Sequence, residues 1–127
     1  MTMKAGKHLI LCVDDDIDLL DLLRRHLEKG GYAVETASSG EEGLAKFKQH
    51  RPDLIIVDLM MEEIDAGTNL VKELKLAGNQ VPVLLLSSMG DQLNLATSYR
   101  ELGLDGVLQK PVNAEALLRT IKAKLAQ

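Results

Sequence analysis

Leu9-Ile10-Leu11-Cys12-Val13 runs directly into Asp14-Asp15-Asp16, and Leu54-Ile55-Ile56-Val57 ends in Asp58. A strand buried on both faces reads as an unbroken Val/Ile/Leu run, the pattern of a parallel sheet covered by helices. In open α/β sheets the ligand crevice lies outside the carboxyl ends of the strands, so aspartates at two such ends face one crevice. If the two strands are neighbours, about 4.8 Å apart, several carboxylates crowd together. Their repulsion is tolerable only with a bound cation or shifted pKa values, so chemistry is expected at that edge.

Outward from these runs, Ile17, Leu20, Leu23 and Leu27 recur at helical spacing between charged residues, and Gly30-Gly31 supplies a stop. Tyr32 to Ala37 reads as a short strand, and Ser39 with Glu42 forms a capping box before Leu44 and Phe47. Pro52-Asp53 introduces the strand that ends at Asp58. Leu70, Val71, Leu74 and Leu76 predict a helix before Gly78, and Val81 to Leu86 predict a fourth strand. Asp91 would cap a helix carrying Leu95, Ala96, Tyr99 and Leu102, ended by Gly103. Gly106 to Gln109 makes a short fifth strand, and Asn113 caps a last helix with Leu117, Leu118, Ile121 and Leu125 inward.

Five strands alternating with five helices argue an α/β fold, a doubly wound parallel sheet built by right-handed crossovers. Of the two common strand orders, the flavodoxin-like 2-1-3-4-5 suits this length. It makes the first and third strands neighbours and brings Asp14, Asp15 and Asp58 together.

One domain is expected over 1–127, with residues 1–7 flexible and no DNA-binding or receptor domain besides. The 15 Lys and Arg against 19 Asp and Glu give a net charge of −4. No basic run is present, so direct nucleic-acid binding is not expected. Cys12, the single cysteine, lies inside an apolar run and reads as a buried small hydrophobe. No apolar stretch approaches the roughly 18 residues of a membrane span, and no signal-peptide pattern precedes His8. The expected location is the cytoplasm, away from membranes.

Mg²⁺ prefers oxygen ligands, one or two carboxylates with water and phosphate completing the octahedron, and Asp14, Asp15 and Asp58 supply such a set. Asp16 reads instead as a helix N-cap. Lys110, just past the fifth strand, places a cation on the same edge, where it could neutralise a phosphoryl group. Ser87 and Ser88 follow the fourth strand and could donate a hydroxyl; taken alone, each would read as a turn residue. An aspartate beside Mg²⁺, a lysine and a hydroxyl is a plausible phosphoryl acceptor. His8, His26 and His50 have no metal-ligand spacing and read as solvated.

In order and spacing, Leu11 to Asp16, Pro52 to Met61, Pro82 to Ser88 and Leu108-Gln109-Lys110-Pro111 resemble the motifs of response-regulator receiver domains of two-component signalling. The resemblance covers His8 to Leu125 and is of the stand-alone, single-domain type. It implies Asp58 as phosphoacceptor, and Asp14 and Asp15 with the Met60 backbone carbonyl as further Mg²⁺ ligands. It also implies Lys110 on the phosphoryl group and Ser87 as the switch hydroxyl. The donor would be a histidine kinase, a phosphotransfer protein or a small acyl phosphate. The output would be a conformational change read by a downstream protein whose identity the sequence does not give, and receivers often pair as homodimers.

Two positions depart from the family pattern. Val107 stands where an aromatic residue usually moves on activation, so a smaller readout around Val107 is expected. Glu62 stands where proline is usual and Asp65-Ala66-Gly67 carries an extra residue, so a looser, more negative loop is expected. Two other readings compete. Asp14-x-Asp16 resembles the nucleophile motif of haloacid-dehalogenase phosphatases, but the later acidic pair is missing. A phosphorylation-independent interaction module on the receiver fold is the second, and the retained Asp14, Asp15, Asp58, Ser87 and Lys110 argue against it.

Overall fold

The computed structural model describes residues 7–58, 66–87, 105–110 and 112–125. Along the chain run β1 (Leu9–Val13), α1 (Ile17–Lys29), β2 (Ala33–Ala37), α2 (Gly40–His50), β3 (Leu54–Asp58), α3 (Ala66–Leu76), β4 (Val83–Ser87), β5 (Gly106–Gln109) and α4 (Ala114–Leu125). The helix expected over Leu95 to Leu102 lies outside the described residues. All five strands are parallel, in the order β2-β1-β3-β4-β5 expected from the sequence.

The unbroken apolar runs follow from burial on both faces. Alternate residues point to opposite sides of the sheet. On one side Leu11, Val13, Ile55, Val57, Val83 and Leu85 meet Phe47 of α2 and Leu70, Val71 and Leu74 of α3. On the other, Ile10, Cys12, Leu54, Ile56, Leu84 and Leu86 meet Leu20, Leu23 and Leu27 of α1 and Leu117 and Ile121 of α4. Each large side chain so buried contributes about 1.5–3 kcal/mol, so neither layer is dispensable. The α2 helix approaches β1 closely at Gly43, where a Cβ would come within 2.8 Å of Val13 Cγ2.

The helix ends show how local sequence sets the turns. At the end of α1 the Gly31 N–H donates to the Glu28 carbonyl and the Tyr32 N–H to the Leu27 carbonyl, with Gly31 left-handed at φ 92°. The same paired bonds close α3, from Gly78 to Lys75 and from Asn79 to Leu74, with Gly78 at φ 89°. These are Schellman ends, for which glycine is the ordinary residue. The α2 helix ends on Arg51 at φ 51°, a non-glycine residue in the same role.

Several details go beyond the sequence reading. Ile17 and Leu76, both named in the helical patterns, are 64% and 88% exposed. Ile17 is the first residue of α1, and Leu76, two residues past the buried Leu74, falls on the opposite side of α3. The fourth strand starts at Val83 rather than Val81, because the Asn79 side chain bonds both the N–H and the carbonyl of Val81 and holds it in a turn. Ser39 caps α2 through the Glu42 N–H, while Glu42 reaches back to the Ser38 N–H at 2.7 Å, one residue earlier than a standard capping box. Among the described residues no helix is long and apolar enough to cross a membrane.

Candidate functional site

The register puts Val13 opposite Val57, so Asp14 leaves β1 beside Asp58, the last residue of β3. Asp14 is fully buried and Asp58 only 2% exposed, whereas Asp15 faces solvent. Each of the three offers a carboxylate oxygen, and these oxygens lie within 4.8 Å of one another. Lys110, one residue past β5, extends across the end of β4 and places Nζ 2.8 Å from Asp58 Oδ1. Asp14, Asp15, Asp58 and Lys110, from three separate places in the chain, thus meet at one edge of the sheet, as the strand order led us to expect.

Backbone contacts fix the Asp14 carboxylate. Its N–H donates to the Ala37 carbonyl at 3.0 Å, which extends the β1–β2 ladder by one step, and its Oδ1 accepts from the Asp16 N–H at 2.9 Å. Asp16 Oδ1 in turn accepts from the Asp18 and Leu19 N–H groups, so Asp16 is the N-cap of α1 as expected. Ala37 is a participant the sequence reading left out, since a backbone carbonyl has no side-chain signature.

Asp14 Oδ2 is buried, with no hydrogen-bond partner among the described residues. A buried acceptor left unpaired is costly, and two adjacent carboxylates more so. Burial pushes the Asp14 carboxyl up to about 7; the Asp16 N–H opposes the rise, the Asp58 charge adds to it, and Lys110 opposes it. Burial works against the charge on Lys110, but the Asp58 hydrogen bond and charge, with Asp14 and Asp16, outweigh it and raise its pKa. An orphaned carboxylate oxygen facing two further carboxylates is the donor set of a hard divalent cation, and the residues fit Mg²⁺.

Ser87 ends β4 with its backbone opposite Gln109, which places the residue on the same edge. Its side chain, together with Met60, Glu62, Ser88 and the loop between β3 and α3, lies outside the described residues. Val107 is partly buried against the layer that contains Val83 and Leu85.

A flavodoxin-like sheet with a buried carboxylate pair, a third carboxylate and a lysine at its carboxyl edge defines an acidic-pocket α/β domain. The family model described as the response regulator receiver domain matches residues 10–122. The alkaline phosphatase synthesis transcriptional regulatory protein PhoP of Bacillus subtilis is 36% identical over 116 residues, 91% of this chain and 48% of that protein. Response regulator MprA of Mycobacterium leprae is 37% identical over 116 residues, 91% of this chain and 50% of that protein. The chain thus spans about half the length of these curated relatives.

Among solved structures, the Vibrio cholerae chemotaxis protein CheY4 superposes with a TM-score of 0.86 at 32% identity, covering 94% of this chain and 99% of that one. A response regulator receiver domain protein from Clostridium thermocellum gives 0.85 at 31% identity, covering 94% of each chain. The chain belongs to the response-regulator receiver family of two-component signalling.

Proposed function

We propose that Asp58 accepts a phosphoryl group from a histidine kinase, a phosphotransfer protein or a small acyl phosphate. The observation that carries this reading is the Lys110 Nζ at 2.8 Å from an Asp58 carboxylate that is almost wholly buried beside Asp14. A carboxylate oxygen of Asp58 attacks phosphorus as the bond to the donor's imidazole nitrogen or acyl oxygen breaks, and the leaving group departs with the bonding pair. The product is an acyl phosphate on Asp58.

Phosphoryl transfer depends mainly on positioning and charge neutralisation, which the pocket's residues supply. Lys110 pairs with a phosphoryl oxygen and exchanges its present contact with Asp58 for it. Asp14, Asp15 and Asp58, with the Met60 carbonyl, would hold Mg²⁺, which when bound neutralises the phosphoryl oxygens and the crowded carboxylates. Ser87 supplies a hydroxyl to the phosphoryl group. The phosphate then acts as a ligand that biases two states of the surface beyond β4, and a cytoplasmic partner protein reads the change. Hydrolysis of the acyl phosphate resets it.

The test is incubation with acetyl phosphate and Mg²⁺ followed by intact-mass measurement. A single phosphoryl adduct is expected, lost in Asp58→Asn and in EDTA. An adduct that survives Asp58→Asn, or none together with no binding of beryllofluoride, overturns the reading and favours a module that works through its surface alone.

A further inference from the structure

At the edge of the sheet opposite the acidic pocket, two strand pairs begin in the same way. The Leu9 N–H donates to Asp53 Oδ2 at 2.7 Å while the Asp53 N–H donates to the Leu9 carbonyl at 2.8 Å. The Val83 N–H donates to Asp105 Oδ2 at 2.8 Å while the Asp105 N–H donates to the Val83 carbonyl at 2.8 Å. In each clasp one aspartate answers both backbone groups of its neighbour, its carboxylate standing where a parallel ladder would supply a carbonyl. The β3–β4 pair starts with the Ile55 N–H on the Pro82 carbonyl, and proline has no N–H to be answered.

The clasps stand in step with the site. Five residues separate Leu9 from Asp14, Asp53 from Asp58 and Asp105 from Lys110. Five residues are about 16 Å of strand. The two clasped pairs, β1–β3 and β4–β5, are the pairs that carry Asp14, Asp58 and Lys110 at their far ends. A slip of one residue would turn a carboxylate to the other face, and a slip of two would move it by about 6.6 Å, past the 4.8 Å within which the three carboxylates now meet.

We propose that Asp53 and Asp105 are positioning residues of the acidic pocket. Asp53 fixes the β1–β3 register that sets Asp14 against Asp58, and Asp105 fixes the β4–β5 register that delivers Lys110 to Asp58. Neither touches the phosphoryl group or the cation. The inference rests on the phosphoacceptor reading for its kinetic consequences and on the strand geometry for the rest.

The two roles separate experimentally. Mg²⁺ affinity is measured by calorimetry and phosphoryl uptake from acetyl phosphate by intact mass. The proteins are the full chain, its Asp53→Ala, Asp53→Asn, Asp105→Ala and Asp105→Asn variants, and Ile121→Val as a core control, all at a temperature where circular dichroism shows each folded. Asp53→Ala weakens Mg²⁺ binding about tenfold, the size expected for a partner that orients a ligand from outside. Asp105→Ala does not weaken Mg²⁺ binding, since the displaced ammonium only competes with the metal for the carboxylates, and it slows uptake about tenfold, because a misplaced lysine costs rate. The asparagine variants keep an acceptor oxygen and restore most of each loss, and Ile121→Val changes neither.

Folded alanine variants with the parent's affinity and rate overturn the proposal, as does an equal loss in Ile121→Val. Should the parent take up no phosphoryl group, the phosphoacceptor reading alone falls. A double-mutant cycle of Asp58→Asn and Lys110→Met in urea denaturation then decides. Their coupling must vanish in the Asp105→Ala background and persist with Asp105→Asn, and a coupling unchanged by Asp105→Ala overturns the positioning role.

Discussion

The Lys110 ammonium sits 2.8 Å from Asp58 Oδ1, beside a carboxylate cluster that includes the buried Asp14 Oδ2. Three carboxylates this close repel one another, and Lys110 offsets only part of that repulsion. Asp14→Asn removes a buried charge without changing shape, and the metal-free protein should gain about 2 kcal/mol in urea denaturation. The same variant should lose measurable Mg²⁺ binding in calorimetry. Lys110→Met should do the opposite to stability, costing about 1–3 kcal/mol by leaving Asp58 without its cation.

The raised Asp14 pKa fixes the sign of a pH dependence. Its folded value of about 7 lies above the ordinary 3.8, so between these values the folded state holds a proton that the unfolded chain releases. Its stabilising contribution is complete below the unfolded value and is lost as pH rises through the folded one. In EDTA, urea midpoints should fall from pH 5 to pH 8, and Asp14→Asn should flatten that slope. Because the cation competes with the proton, Mg²⁺ should raise the midpoint more at pH 8 than at pH 6. Lys110, shifted upward, contributes stability that is lost only at alkaline pH and leaves this window unaffected.

Arg51 closes α2 at φ 51°, where the other left-handed helix ends among the described residues use Gly31 and Gly78. A side chain there costs about 1–2 kcal/mol, partly offset by the lower entropy of the unfolded arginine chain. Arg51→Gly should raise stability by about 0.5–1 kcal/mol in thermal or urea unfolding. Mg²⁺ binding should be unaltered, since Arg51 lies at the far end of α2 from the pocket.

Caps hold the starts of α1 and α2. Ser39→Ala removes the acceptor for the Glu42 N–H and should cost about 1 kcal/mol. Asp16→Ala removes the acceptor for two N–H groups at α1 and should cost a similar amount, about 1 kcal/mol. The Ser38 N–H holds the Glu42 carboxyl below its ordinary value, so this link weakens as pH falls through that lowered value. An acid titration of Glu42→Gln should lack that loss.

The central strands were legible because both their faces are buried, so Leu9 to Val13 and Leu54 to Val57 announce themselves without any helix being placed, whereas the strand order came from choosing between two common orders by chain length. The meeting of Asp14 with Asp58 followed from the order, and that of Lys110 followed from its place after β5. Ile17 and Leu76 are exposed because the first opens its helix and the second is out of phase with Leu70 and Leu74, so an apolar residue within a helical stretch need not lie on its buried face. Asp53 and Asp105 passed unread, because a carboxylate that answers a backbone N–H across 44 or 22 residues has no local pattern. The burial of Asp14 Oδ2 was likewise invisible, being a property of what surrounds the group.

Cys12 lies at the centre of β1 with no exposure, between the sheet and the α1 layer, and burial pushes its thiol up to about 12. A thiol so protonated and enclosed reacts only after the layers part. The chain therefore contains its own clock for whole-domain opening. The speed with which a disulfide reagent titrates this single sulfur measures how often the molecule comes apart, and events confined to the carboxyl edge of the sheet leave that clock unmoved.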